Sequence, residues 1–378
     1  MSKKIKVLFV TAVYENIDTG PGKFSQILPL VNQGEIVDLY ILTPDINIEN
    51  KKVFKLRYTD PPFLKPISFF YRMYEVSKKV KELSIVQNFD IVWFNNAIEG
   101  YMSAKRNKNI VHVGMINDYT SVKCTLKNYG ISYKYIRHKI FQKFEKLSFK
   151  YYKRIISNSN YLKSVIVDYY HVSNSQITIL RKAVNIYPGN LNLEKINVDD
   201  PIKILFLKSN FQIGGLKYLV EALSLLTYNF ILSIGGTSEE EIRSKIKFDV
   251  EKKNVEPRFL GKISQERVFY ELKTNHIFCT PSSQEALGVA NIEALAQKIP
   301  VVYTNVGGIP EVMDYGNNGF VCEPDNPESI ALAIDKCILE QEIRKQKKEN
   351  GYSYIINNFS KDIMLKRFEN ICQDCICN

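Results

Sequence analysis

The chain has 378 residues, 45% of them hydrophobic, and a net charge of +11. That length exceeds one ordinary core and suits two domains. Four His and one Trp leave little room for a His-based metal centre, and no uninterrupted apolar run approaches the ~18 residues of a membrane span.

The charge is uneven. Residues 1–200 hold 30 Lys and Arg against 17 Asp and Glu, a balance of +13, while residues 201–378 hold 21 against 23, a balance of −2. The basic half points to an anionic partner. The seven Cys (Cys124, Cys279, Cys322, Cys337, Cys372, Cys375 and Cys377) are odd in number and scattered. They read as reduced thiols. Cys372, Cys375 and Cys377 have metal-ligand chemistry, but no second pair or His lies near them, so no metal is expected. The basic, short apolar start Met1–Val10 lacks the length and cleavage site of a secretory signal, so a cytoplasmic protein is expected.

Residues 3–13 read as a buried strand. A loop containing Gly20 and Gly22 leads to an amphipathic helix from Phe24, and Ile36–Leu42 is the next strand, which makes a βαβ opening. Glycines at such a turn let backbone approach a phosphate or sugar; a plain tight turn is the other reading. Asp90–Asn95 and Asn109–Met115 are further strands.

Residues 123–154 hold ten Lys and Arg, eight Tyr and Phe, and one acid, Glu145. Basic heads beside aromatic bodies suit an anionic membrane surface. The same composition fits single-stranded nucleic acid, the least favoured partner, or a solvated helix whose aromatics enter the core. Strands follow at Arg154–Ser157 and from Ile177. The polar stretch from Pro188 to Asp200 is the natural linker.

Ile202–Leu207 opens a second domain. Gly214 and Gly215 precede a helix, where free N–H groups and the positive dipole end suit a phosphate. Phe230–Gly236 and Arg258–Ile263 are further strands, and Ile277–Thr280 leads into Pro281-Ser282-Ser283, a helix-start signal. A helix running from there through Ala296 puts Glu285 at its mouth. Glu293, eight positions on, then lies about 80° away around the axis, so both carboxylates can face one crevice.

Glu285 and Glu293, with Gly288, Gly307, Gly308, Pro310, Glu311, Gly316 and Gly319 around them, resemble the E-x7-E region of the retaining, nucleotide-sugar-dependent glycosyltransferases of family 4. The resemblance implies an α/β fold of the GT-B type. Two Rossmann-like domains face each other across a cleft, and a C-terminal helix crosses back to the first domain. The acceptor domain is expected at 1–187, the linker at 188–200, the donor domain at 201–358 and the crossing helix at 359–378.

By the same resemblance Glu285 binds sugar hydroxyls and Glu293 the ribose. The amides around Leu287, Gly288 and Val289 hold sugar and phosphate, and Leu260 lines the nucleobase. Lys208, Gly214 and Gly215 meet the diphosphate, with Gly20 and Gly22 facing it. Asp118 falls on the acceptor side, where relatives carry a His-Asp pair; Asn117 takes the His place and cannot act as a base. Ile213 stands where relatives carry a Lys. No Asp-x-Asp occurs, so a metal clamp of that type is absent, and the resemblance implies transfer of a UDP- or GDP-linked sugar without a metal or other cofactor. The expected acceptor is a glycan or lipid-linked glycan at the inner membrane face. A non-catalytic subunit that binds glycan or stabilises a partner is the rival reading, favoured by Ile213 and Asn117. A sugar-nucleotide epimerase would need catalytic His residues, and none of the four has a convincing setting.

Overall fold

The computed structural model describes residues 3–15, 20–47, 50–57, 65–124, 126, 130, 132–184, 186, 196–246 and 254–377. The chain forms two compact units, Met1–Ala183 together with Asp362–Asn378, and Val184–Lys361.

Among the described residues the first unit is built on seven strands: β1 Ile5–Val10, β2 Val37–Thr43, β3 Val53–Lys55, β4 Ile91–Phe94, β5 Val111–Ile116, β6 Arg154–Ser157 and β7 Ile177–Ile179. They pair in the order β3-β2-β1-β4-β5-β6-β7, parallel throughout. Strands such as Ile91-Val92-Trp93-Phe94, buried at every position, are unbroken apolar runs because a parallel sheet is covered on both faces. On one face Val7, Phe9, Trp93, Val113 and Met115 meet Phe24 and Leu28. The helix Lys361–Cys377 closes the same core with Met364, Phe368, Ile371, Cys372 and Cys375. The ring of Phe368 lies 4.6 Å from that of Trp93.

Cys372 and Cys375 are core residues and Cys377 is exposed. Burial pushes the Cys375 thiol up to about 11.

The second unit holds β8 Ile202–Leu207, β9 Phe230–Gly235, β10 Val255–Gly261, β11 Ile277–Cys279, β12 Val301–Thr304 and β13 Phe320–Cys322. Their order is β10-β9-β8-β11-β12-β13, again parallel. Val184 is buried in this unit's core and Ile186 packs against it, so the chain enters the unit before the polar stretch expected as a linker. Residues 187–195 lie outside the described residues.

In each sheet the strand order reverses beside the first strand, between β1 and β4 and between β8 and β11. A doubly wound sheet leaves a crevice at the carboxyl ends of the strands at such a point. Loops placed there are the ones to inspect for chemistry.

Candidate active site

Lys208 follows β8 and Glu285 follows β11, so the two come from the strands on either side of the second unit's reversal. Their side chains form an ion pair, at 22% and 23% exposure. Hydrogen bonds hold the segments around them together. The Leu207 amide donates to Thr280 Oγ1 at 3.4 Å, and the Ser283 amide donates to the Ile213 carbonyl at 2.8 Å. Ile213, at the place of a cation in relatives, thus contributes its main chain to holding the loop after β11.

The local structure differs from the sequence expectation at two points. No helix starts at Pro281. Residues 281–288 form an irregular turn, and the helix runs only over Val289–Ala296, capped by Gly288 at φ +94°. The turn cannot be helical because the glycines of the next loop press into it. A Cβ on Gly307 would lie 1.7 Å from the Glu285 carbonyl oxygen, and one on Gly308 would lie 2.2 Å from that of Ala286. The Gly308 amide donates to the Glu285 carbonyl at 3.3 Å. Glu285 and Glu293 are consequently not related by helical rotation. Glu285 sits in the turn, and Glu293 is inside the helix and 4% exposed, where Gln265 Nε2 donates to its Oε1 at 3.0 Å.

The second point concerns Gly214 and Gly215, which do precede a helix, Leu216–Ser224. Their N–H groups are not left free. The amides of Gly214, Gly215 and Leu216 donate to the carbonyls of Asn210, Gln212 and Phe211. The pair serves close approach instead: a Cβ on Gly215, at φ +75°, would fall 2.2 Å from the Pro281 carbonyl oxygen. The amides of Leu287 and Gly288, by contrast, have no acceptor among the described residues. With Val289 they stand at the start of the helix Val289–Ala296, so the donors and the positive dipole end lie beside the turn that holds Glu285; a Cβ on Gly288 would be 3.7 Å from Glu285 Cγ. Asn291 is buried there with its Oδ1 unpartnered among the described residues. Leu260, at the end of β10, packs on the same core as Leu287 and Ile292.

Gly20, Gly22 and Asp118 belong to the first unit. Gly20 and Gly22 lie within the helix Gly20–Ile27, not in a loop before it, and residues 16–19 lie outside the described residues. Asp118 is exposed, and its Oδ1 accepts the Thr120 amide at 2.9 Å, the geometry of a loop carboxylate. Its neighbour Asn117 donates to the Asn95 carbonyl at 2.6 Å and accepts from Asn158 Nδ2 at 3.0 Å. Asn95 in turn donates to Thr11 Oγ1 at 3.0 Å. The place of a His in relatives is thus filled by one rung of an asparagine ladder along the carboxyl edges of β4, β5 and β6.

The sequence reading missed Thr280, Gln265, Gly236 and this ladder. Only Gly236 carried a local signal, its place directly after a strand; a Cβ there would lie 2.5 Å from the Lys208 carbonyl carbon.

Two family models cover most of the chain. Residues 191–354 match the glycosyl transferases group 1 and residues 30–186 match glycosyltransferase family 4. The chain belongs to the family 4 glycosyltransferases. An uncharacterized glycosyltransferase of Methanocaldococcus jannaschii is 26% identical over 92% of this chain and 90% of its own. The capsular polysaccharide biosynthesis glycosyltransferase CapM of Staphylococcus aureus is 27% identical over 57% of this chain and 60% of its own. Among solved structures, a glycosyltransferase from Rickettsia africae superposes with a TM-score of 0.71 at 22% identity, covering 100% of both chains. Anabaena HepE in complex with UDP and glucose gives 0.73 at 15% identity, covering 98% of this chain and 99% of that one. The glycosyltransferase accordingly has the GT-B fold and is a transferase enzyme.

Proposed function

We propose that this glycosyltransferase transfers a sugar, with retention of configuration and without a metal, from a UDP- or GDP-linked donor to a glycan or lipid-linked acceptor. The product would be a cell-surface polysaccharide or glycoconjugate made on the cytoplasmic side of the membrane. The observation that carries the reading is the convergence of Lys208, Glu285 and the Leu287 and Gly288 amides at the reversal of the second sheet. HepE, of the same fold, is described in complex with UDP and glucose, which supports a UDP-sugar as the first donor to try.

In this reading the diphosphate takes Lys208 and the helix start at Val289, where a cation and oriented amides replace the metal clamp. Glu285, released from Lys208, accepts hydrogen bonds from sugar hydroxyls, and Glu293 accepts those of the ribose, a pairing that suits a carboxylate. The acceptor oxygen attacks the anomeric carbon on the face from which the diphosphate departs. The bond to the diphosphate oxygen breaks, and that oxygen takes the acceptor's proton. Gly20, Gly22 and Asp118 are assigned to donor phosphates and acceptor by resemblance. Residues 123–154 are assigned to an anionic membrane.

Calorimetry with UDP- and GDP-sugars in the presence of a chelator tests the donor, and the anomeric signal of the product by NMR tests retention. Selective binding of one donor and an anomer unchanged from the donor are expected. Binding that appears only after a divalent metal is added would overturn metal independence, and an inverted product would overturn retention.

A further inference from the structure

We propose that the outer face of the helix Tyr133–Phe149 is the surface that docks the enzyme on an anionic lipid bilayer. This deepens the membrane part of the proposed function and uses nothing in the donor site, so vesicle binding and donor binding can fail separately.

The helix is capped by Ser132, whose hydroxyl accepts the Tyr135 amide, and most of the aromatics around it turn inward. Phe141 lies 4.6 Å from Phe69 and Phe144 lies 4.9 Å from Phe70; Phe149 and Tyr152 are buried. The aromatic richness of this stretch is therefore mainly core. What remains outside is different: Tyr133, Ile136 and Ile140 are 57%, 50% and 36% exposed. At about 100° per residue, Ile140 and Ile136 sit about 20° and 60° from Tyr133, one narrow apolar stripe. Lys139, Lys143, Lys146 and Lys150 follow along one margin and Arg137 along the other, all exposed.

Nothing on the helix offsets this charge. Its single acid, Glu145, accepts the Tyr170 hydroxyl bond on the inner side. Among the described residues, Arg137, Lys139, Lys143, Lys146 and Lys150 have no carboxylate partner. A solvated helix ordinarily places Glu and Lys four residues apart in mutually stabilising pairs; this one forgoes that and leaves isoleucines in water.

An anionic bilayer satisfies both features. The stripe enters the headgroup boundary while Lys and Arg stems reach outward to lipid phosphates, each strengthening the attraction to the anionic surface. Single-stranded nucleic acid would need several aromatic faces to stack on, and of the aromatics on this helix only Tyr133 is exposed. A symmetric pairing of two copies through this face would set like charges against one another.

The test is co-sedimentation of the full chain with vesicles of phosphatidylcholine alone and vesicles one-third phosphatidylglycerol. It uses wild type, the double variant Ile136→Ser/Ile140→Ser and the double variant Lys139→Glu/Lys143→Glu. These exposed positions leave the fold intact, which unchanged thermal unfolding and unchanged UDP affinity would verify. Wild type is expected to bind the anionic vesicles at least ~10-fold more tightly than the neutral ones, and less tightly as salt rises. The Lys pair should lose ~10-fold or more, and the Ile pair several-fold even at low salt. Absence of binding to anionic vesicles, or equal binding by all three proteins, would overturn the proposal. So would displacement by a single-stranded oligonucleotide, or a dimer that dissociates in the Ile variant.

Discussion

Lys208 and Glu285 are paired with each other across the reversal of the second sheet. The residue assigned to the diphosphate is thus engaged by the residue assigned to the sugar. Under the proposed assignment, a nucleoside diphosphate draws Lys208 away from Glu285, and a sugar then finds the freed carboxylate. Glu285→Gln should leave UDP or GDP affinity unchanged or raised, because an amide competes less for the ammonium. The same variant should cut transfer by ~100-fold or more. Lys208→Ala should weaken the nucleotide by about 10-fold, the worth of one charge-assisted bond. Titration calorimetry beside initial rates separates the two; equal loss of nucleotide affinity in both variants would refute the exchange of partners.

Gly307 allows the turn holding Glu285 to exist. Its φ is +59°, and a Cβ would overlap the Glu285 carbonyl oxygen at 1.7 Å. Gly307→Ala must move the turn, combining left-handed strain with a steric clash, so about 3 kcal/mol or more of destabilisation is expected. Donor binding should disappear. Gly130, also left-handed but with nothing within 4 Å, supplies the comparison, because Gly130→Ala carries only the cost of its φ. Thermal melts of the two variants check the difference.

Glu145 gives the first unit a pH dependence. Burial holds its carboxyl up to about 7, opposed by the Tyr170 hydroxyl bond. The folded state therefore keeps a proton that the unfolded chain gives up near pH 4.5. Stability from this group is complete below about 4.5 and is lost as pH rises through about 7. Glu145→Gln, which stays neutral, should gain on wild type between pH 5 and pH 8 by about 1–3 kcal/mol. Unfolding midpoints of both proteins across that range measure it. A gap that does not widen with pH would contradict the assignment.

Phe368 fastens the C-terminal helix to the first unit through Trp93. Phe368→Ala removes a fully buried ring and should cost about 3–5 kcal/mol. Trp93 is the chain's single tryptophan, so its fluorescence reports this unit alone and should show the lowered midpoint directly.

The strands were legible because both sheets are parallel and covered on both faces, so Ile5–Val10, Ile91–Phe94 and Ile202–Leu207 stand out as apolar runs. The donor-side constellation was legible as a pattern of glycines and two glutamates. Its shape was not. Pro281-Ser282-Ser283 looks like a helix start, and the backbone of Gly307 and Gly308, distant in sequence, presses against the turn and prevents one. Gly214 and Gly215 show the same limit: a Gly pair before a helix reads as free amides, and the turn from Asn210 uses them. In residues 123–154 the composition could not tell which aromatics faced inward, because that depends on Phe69 and Phe70 in another helix. The asparagine ladder had no local signal, since Asn95, Asn117 and Asn158 meet only when three strands are side by side.

The most direct measurement is nucleotide release by the purified enzyme from UDP- and GDP-sugars, with a chelator present, beside Glu285→Ala and Glu293→Ala. Release from one donor, unaffected by the chelator and reduced ~100-fold or more by Glu285→Ala, is the predicted result, with Glu293→Ala acting mainly through a raised KM. Absence of release and binding with every donor, or release that persists unchanged in both variants, would contradict the assignment of this site.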